Sequence, residues 1–217
     1  MGFANSSMVF KLFSNLKKYS RGITLVEIVI AIFIVAIFSL ILIADFPKLQ
    51  KQYALSGATY KLAQDFRRAQ NLGLSAVRIE GVGGNLITVK GYGIYIDIDS
   101  SPITQYIIYA DVNNTQSFDN IAAKTCDQYD PTPPQSDKGD CIIETIDVSE
   151  NNQDLYIQRV SNVSGDVSVN FSPPGPVINI ENLTPGNSGI EIVLGLRSDE
   201  SSGRTVLVNK SGLINVQ

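Results

Sequence analysis

One carboxylate stands inside the most apolar part of the chain. Residues 23–44, ITLVEIVIAIFIVAIFSLILIA, contain a single charged side chain, that of Glu27. A carboxylate near the centre of a bilayer costs about 2.5–3.5 kcal/mol, so such a residue indicates a function and needs a partner. If the chain were cut between Gly22 and Ile23, the new α-amino group would carry a compensating positive charge. Such an amine could pair with the Glu27 carboxylate, within one subunit or between neighbouring subunits, and neutralise both charges in lipid.

The residues around Glu27 are typical of a membrane span. Residues 1–22 carry four basic side chains and no acidic one. The apolar run after them is long enough to cross a bilayer as a helix, and the preceding basic charge predicts a cytoplasmic N-terminus and an exported C-terminal part. An ordinary secretory signal has a shorter apolar core and a small-residue cleavage site, whereas this run ends at Asp45. A plain single-pass anchor is the alternative.

The segment RGITLVEIVIAIFIVAIFSLI resembles the class III signal of type IV pilins and of the pseudopilins of type II secretion. The resemblance implies that a prepilin peptidase cuts after Gly22 and methylates Ile23, the new N-terminus. It also implies that Glu27, fifth in the mature chain, guides the docking of subunits. The family usually has Phe at the position of Ile23, which leaves the efficiency of methylation open.

The same resemblance implies the location and the partners of the protein. The expected location is the cytoplasmic (inner) membrane, with a single pass, a cytoplasmic N-terminus and a periplasmic or extracellular C-terminal domain. The expected partners are the prepilin peptidase and methyltransferase, other pilin or pseudopilin subunits, an inner-membrane assembly platform, and the lipid bilayer before assembly.

The hydrophobic pattern predicts an α+β fold. After Asp45, apolar residues recur at helical spacing, and from residue 79 onward they alternate with a period of two, as in strands. We expect a long N-terminal helix, with a membrane half and an amphipathic half, packed on an antiparallel β-rich domain. The expected parts are a cleaved leader (1–22), the membrane or filament-core half of the helix (23–44), its amphipathic half (45–78), and an exported β domain (79–217) with a loop insert at 126–141. The expected strands are 91–99, 104–112, 154–160, 166–171, 176–181, 189–196, 204–209 and 212–217.

A narrower resemblance covers most of the mature chain. The stretches LAQDFRRAQNLGLSA (62–76), GYGIYID (91–97), NFSPPGP (170–176) and RTVLVNKSGLINV (204–216) resemble the minor pseudopilin H (GspH/FimT-like) family. Outside the N-terminal signal these motifs are loose. They imply a minor subunit of a pseudopilus or pilus.

Two further sets of residues could do chemistry in the exported part. Cys126 and Cys141 bracket a segment rich in Pro and Asp, and an isolated pair in an exported domain predicts a disulfide. The pair would stay reduced in a host that forms no disulfides outside the membrane. Oxygen-bearing side chains alternate, as the ligands of an EF-hand loop do, at Asp111, Asn113, Thr115, Ser117 and Asp119. Of these, Asp111, Asn113 and Asp119 are the calcium candidates.

The EF-hand pattern is incomplete, because Gln116 replaces the sixth-position Gly and Ala122 the final Glu. A solvated turn is therefore the favoured interpretation. Calcium stays open at these residues, and we expect no other metal and no cofactor.

Composition limits the function classes. The chain has 17 basic and 21 acidic residues, a net charge of −4 and no His, which excludes His-based triads and His metal sites. An acidic balance also disfavours nucleic-acid capture. We therefore expect a non-enzymatic, prepilin-type minor pseudopilin or minor pilin. One alternative is a DNA-uptake minor pilin that would depend on Arg197, Arg204 and Lys210. The other is a membrane-tethered exported binding protein.

Overall fold

The computed structural model describes residues 22–119, 124–130, 132, 139–173, 175 and 177–217. The predicted leader up to residue 21 and most of the predicted insert therefore lie outside the described residues. The chain divides into two compact units, Met1–Pro47 and Lys48–Gln217. Each unit is treated separately below.

The first unit contains the apolar half of the long helix α1, which spans Leu25–Ser75. Its side chains face outward without protein cover: Leu25 is 78% exposed and Leu42 is 71% exposed. Within the described residues, α1 is the one helix long and apolar enough to cross a membrane. An exposed apolar surface of this extent needs a lipid or protein environment, which is consistent with a single-pass membrane anchor.

The second unit contains the amphipathic half of α1 and two antiparallel sheets. The larger sheet has the strand order β5-β4-β3-β7-β8, the smaller has β11-β10-β9-β6, and β1 and β2 form a separate hairpin. The strands are β1 Ile79–Glu80, β2 Leu86–Ile87, β3 Gly91–Ile96, β4 Gln105–Asp111, β5 Cys141–Asp147, β6 Leu155–Ser161, β7 Val167–Ser172, β8 Val177–Ile180, β9 Gly189–Leu196, β10 Asp199–Asn209 and β11 Ile214–Val216. The predicted α+β class, a long helix packed on antiparallel sheets, is confirmed.

One face of α1 supplies the centre of the core in this unit. Leu62, Phe66 and Ala69 have no exposed surface, and they belong to one cluster with apolar residues of both sheets. Their three- and four-residue spacing places them on one side of the helix. Burial of these side chains is what attaches the amphipathic half of α1 to its own domain.

A glycine sets the closest approach of α1 to the larger sheet. A Cβ atom added to Gly73 would lie 2.2 Å from the carbonyl oxygen of Phe171 on β7. Gly57, in the same helix, has no heavy atom within 4 Å of such a Cβ. The two glycines therefore have different roles: the sheet requires Gly73, and no contact requires Gly57.

Two further glycines make room on the outer face of the larger sheet, away from the helix. A Cβ atom on Gly93 of β3 would lie 2.5 Å from the ring of Tyr109 on β4. A Cβ atom on Gly91 would lie 2.5 Å from the side-chain oxygen of Asn170 on β7. The sequence G-Y-G at the start of β3 thus leaves space on this face for the side chains of Tyr109 and Asn170.

The predicted strands are present, β9 with the predicted bounds and the others with shifted ends; the short β1 and β2 and the longer β5 were not predicted. The larger miss is β5. It pairs with β4 at the edge of the larger sheet, with a register irregularity opposite Ile108 and Tyr109. Several of its side chains are half-buried, so its residues do not alternate cleanly between apolar and polar. An irregular edge strand gives little signal in a period-two pattern.

Candidate functional site

The predicted processing site lies at the N-terminal end of α1. Gly22, Ile23 and Thr24 are outside the helix, which begins at Leu25. Gly22 is exposed, and Ile23 is 70% exposed. The peptide bond between Gly22 and Ile23 is therefore in a non-helical segment that no described residue covers.

Thr24 is the N-cap of α1. Its carbonyl oxygen accepts hydrogen bonds from the backbone N–H of Glu27 at 3.0 Å and of Ile28 at 3.3 Å. Its side-chain Oγ1 accepts a further bond from the Glu27 N–H, at 3.3 Å. A side-chain oxygen that bonds the amide three residues on is the defining contact of an N-cap residue.

Glu27 lies in the first turn of the helix and is exposed. The free N–H groups of a helix N-terminus carry a partial positive charge that favours an acidic side chain there. Because Ile23 is only four residues earlier, an amine generated at Ile23 would come within about one helical turn of the carboxylate. This arrangement suits the charge pair expected from the sequence.

The capping role of Thr24 was not predicted. The signal was present in the segment TLVE, because Thr followed three residues later by Glu has the spacing of a capping box.

The structure joins Cys126 and Cys141 in a disulfide, as predicted, with an Sγ–Sγ distance of 2.09 Å. Cys141 has no exposed surface, and Cys126 is nearly buried. Both sulfur atoms belong to a second small core, together with Ile87, Val89, Tyr92, Ala110 and Tyr129. The disulfide therefore forms part of the core that also contains residues of the β1–β2 hairpin.

The calcium candidates belong to β4 and to the segment 112–119 that follows it and covers the outer face of the larger sheet: Asp111 ends β4, Asn113 lies near the start of the segment and Asp119 at its end. The ring of Phe118 packs on Tyr95 and Tyr109, with ring centroids 4.8 and 5.2 Å apart. From β8, the side-chain amide of Asn179 donates a 2.9 Å hydrogen bond to the carbonyl of Gln116. The segment thus crosses the sheet from β4 to β8.

Asp111 holds this segment by its backbone. Its carboxylate accepts hydrogen bonds from the N–H groups of Asn114 at 2.6 Å and Gln116 at 3.0 Å. Asn113 both donates and accepts: its side-chain N–H donates to the Asp119 carboxylate at 2.6 Å, and its Oδ1 accepts from the Thr115 hydroxyl at 2.9 Å. The three candidate residues are therefore used in hydrogen bonds that shape the segment. Among the described residues, no group of three or more Asp, Glu, Cys or His side chains could hold a metal ion.

A fourth polar residue, Asp140, completes the anchoring and was not singled out from the sequence. Its two oxygens accept hydrogen bonds from the N–H groups of Val112 at 3.2 Å and Asp119 at 3.0 Å. Burial raises the pKa of Asp140 to about 7. Burial likewise raises the pKa of Asp111, against the opposing effect of its backbone donors.

The three basic residues required by the DNA-binding alternative do not form one patch. Arg197 immediately follows β9, and Lys210 immediately follows β10. In the register of this antiparallel pair Asp199 lies opposite Leu196 and Asn209 opposite Gly189, so Arg197 and Lys210 are at opposite ends of the ladder. The sheet therefore separates the charges that DNA capture would have to bring together.

Comparison with known families gives one match. Residues 17–43 match the family described as the prokaryotic N-terminal methylation motif. This is a prepilin-type signal, and it supports a place for the chain in the type IV pilin-like superfamily, with processing by a prepilin peptidase and assembly with other pilins. Comparisons with curated proteins and with solved structures each return no match for the chain.

Proposed function

We propose that the protein is a structural subunit of a pseudopilus or type IV pilus, cut after Gly22 and methylated at Ile23. The observation that carries this proposal is the coincidence of the methylation motif, residues 17–43, with the start of an apolar and fully exposed helix. Here the helix has no cover within its own unit, so lipid or other subunits must supply it.

Different parts of the chain act at successive steps of membrane insertion, processing and assembly. The apolar half of α1 holds the precursor in the inner membrane, with its basic leader in the cytoplasm and its β domain outside. Cleavage then exposes a positive amine at Ile23, and the Glu27 carboxylate pairs with such an amine on its own or a neighbouring subunit. Pairing neutralises an isolated charge in an apolar environment. The resulting decrease in free energy favours one register of neighbouring helices over others.

The finer assignment is to a minor subunit of the pseudopilin H (GspH/FimT-like) type. Its support is the sequence resemblance of the end of α1, of β3 and of the closing β10–β11 hairpin. In this role the β domain decorates the filament or its tip, and the partners are other pilin or pseudopilin subunits and an inner-membrane assembly platform. No enzymatic step is assigned to the chain itself.

Assembly tests the proposal with two variants in the same apolar segment. Glu27→Ala removes the carboxylate, whereas Ser39→Ala removes a hydroxyl that bonds only the Val35 carbonyl of its own helix, at 2.8 Å. Each variant is co-expressed with a prepilin peptidase and with the other subunits of a filament system, and sheared filaments are assayed for the protein. We expect both variants to be cleaved and only Ser39→Ala to enter filaments. Normal assembly of Glu27→Ala would refute the proposed role.

A further inference from the structure

The N-cap of α1 makes Leu25 the first residue of the helix, two residues after the peptide bond assigned to cleavage. This N-terminal limit of the helix is called the helix stop below. Thr24 accepts the first hydrogen bonds of the helix with both its carbonyl and its hydroxyl oxygen. Gly22 and Ile23, on the other side of the cap, have no helical structure.

Without this cap, the sequence would allow the helix to continue toward the N-terminus. The next residue upstream of Thr24 that can serve as an N-cap is Gly22. A helix capped there would begin at Ile23, and the carbonyl group of the Gly22–Ile23 bond would accept its first hydrogen bond.

A backbone group that is hydrogen-bonded within a helix is not available to an enzyme that binds its substrate as an extended chain. Recognition of an extended peptide uses main-chain hydrogen bonds on both sides of the recognised residues. A precursor whose helix covered the scissile bond would first have to unwind, and its apparent affinity would fall by the fraction of molecules that are unwound.

We infer that Thr24 is a positioning residue for precursor processing: it ends the helix at Leu25 and so keeps the Gly22–Ile23 bond extended for the peptidase. This inference rests on the proposed function, because it presupposes cleavage after Gly22. It assigns to Thr24 a role before assembly, distinct from the role of Glu27 after cleavage.

Three substitutions at this one position separate the helix stop from a direct contact of the hydroxyl with the peptidase. Ser retains the capping oxygen. Gly lacks the hydroxyl but is still tolerated as an N-cap and is a poor interior residue, so the helix still stops. Ala lacks the cap and is the best helix former, so the helix can extend to Ile23 with Gly22 as its new N-cap.

The test measures cleavage of the full-length precursor and its Thr24→Ser, Thr24→Gly and Thr24→Ala variants by a purified prepilin peptidase in detergent micelles. We expect the Ser and Gly variants to match the wild type. For Thr24→Ala we expect KM to rise about two- to threefold with kcat unchanged. Loss of an average N-cap shifts the local equilibrium about fivefold, but the non-helical state is the major one in the wild type, so its fraction falls by less than that factor.

Each outcome has a distinct meaning. If Thr24→Ala is cleaved with the KM of the wild type, or if Thr24→Gly loses as much as Thr24→Ala, the helix-stop role is wrong. If the wild-type precursor itself is not cleaved after Gly22, the proposed function fails.

Discussion

The hydroxyl of Tyr106 on β4 donates a 2.5 Å hydrogen bond to the carboxylate of Asp65 on α1. Both residues are buried, and Lys61, one turn earlier on the helix, pairs with the same carboxylate at 3.0 Å. The amphipathic half of α1 is thus held to its sheet by a specific polar contact as well as by apolar burial. Burial and the neighbouring Asp65 raise the pKa of Tyr106, so the phenol remains protonated and able to donate.

Removing this donor should destabilise the second unit. Tyr106→Phe keeps the ring but leaves the buried carboxylate with Lys61 alone, and a lost hydrogen bond to a charged group costs about 2 kcal/mol. Urea unfolding of the full chain in detergent, followed by the β signal in circular dichroism, measures the change. Tyr53→Phe, on an exposed Tyr of the same helix, is the control and should change the unfolding free energy by less than about 0.5 kcal/mol. Equal effects of the two variants would show that the Tyr106–Asp65 bond contributes nothing.

Two glycines in one helix should respond to Ala with opposite signs. Gly73→Ala forces a Cβ atom to within 2.2 Å of the Phe171 carbonyl oxygen, so the helix must move away from β7. We expect a loss of about 1–3 kcal/mol, typical of overpacking. Gly57→Ala meets no atom within 4 Å and should gain up to about 1 kcal/mol from helix propensity. The same unfolding assay measures both, and a stable Gly73→Ala variant would contradict the close approach of α1 to β7.

The buried carboxyl of Asp140 predicts an unusual pH dependence. Its folded-state pKa is about 7, above the ordinary value of 3.8, so protons bind more tightly in the folded chain. Its contribution to stability is therefore fully present below pH 3.8 and is lost as pH rises to about 7, by at most about 4 kcal/mol. Asp111, with its raised pKa, acts in the same direction, and the neighbouring Asp119 adds repulsion when all three are ionised.

Unfolding free energies between pH 4 and pH 8 test this sign. Asp140→Asn should flatten the fall in stability across the interval, while Glu150→Gln, at an exposed position, should leave the slope unchanged. Carboxyls with lowered pKa values, such as Asp147 and Asp154, lose their contribution only as pH falls to 3.8 and below, outside this window. A slope that Asp140→Asn leaves intact would show that Asp140 is not the titrating group.

The disulfide should stabilise the folded protein mainly by restricting the conformations of the unfolded chain. Closing a loop with a sequence separation of 15 contributes about 3 kcal/mol in the chain-entropy model. The double variant Cys126→Ala/Cys141→Ala should lower the unfolding free energy by about this amount, and hydrogen exchange should increase most in β1 and β2, which share its core. Wild-type stability in the double variant would show that the second core does not depend on the bridge.

Much of this fold follows from local pattern. Strand β9, Gly189–Leu196, has the predicted bounds because it is a central strand with regular alternation and a turn on each side. The buried face of α1 follows from the spacing of Leu62, Phe66 and Ala69. In both cases one periodicity, set by burial on one side, determines the element.

The remaining features depend on partners that are distant in the sequence. Asp140 lies between a Pro-rich segment and a strand that was not predicted, and its role appears only once Val112 and Asp119 are beside it. The requirement for Gly at position 93 comes from Tyr109 on the neighbouring strand. Thr24 differs, since its cap is local and the TLVE spacing would have sufficed to predict it.

The most direct test of the account is the identity of the N-terminal residue after processing. The full chain is co-expressed with a prepilin peptidase, recovered from membranes and analysed by mass spectrometry of its N-terminal peptide. The account predicts a chain that begins at Ile23 with a methylated α-amino group, so that residues 1–22 are lost. An intact leader, or a chain cut at any bond other than Gly22–Ile23, would contradict it.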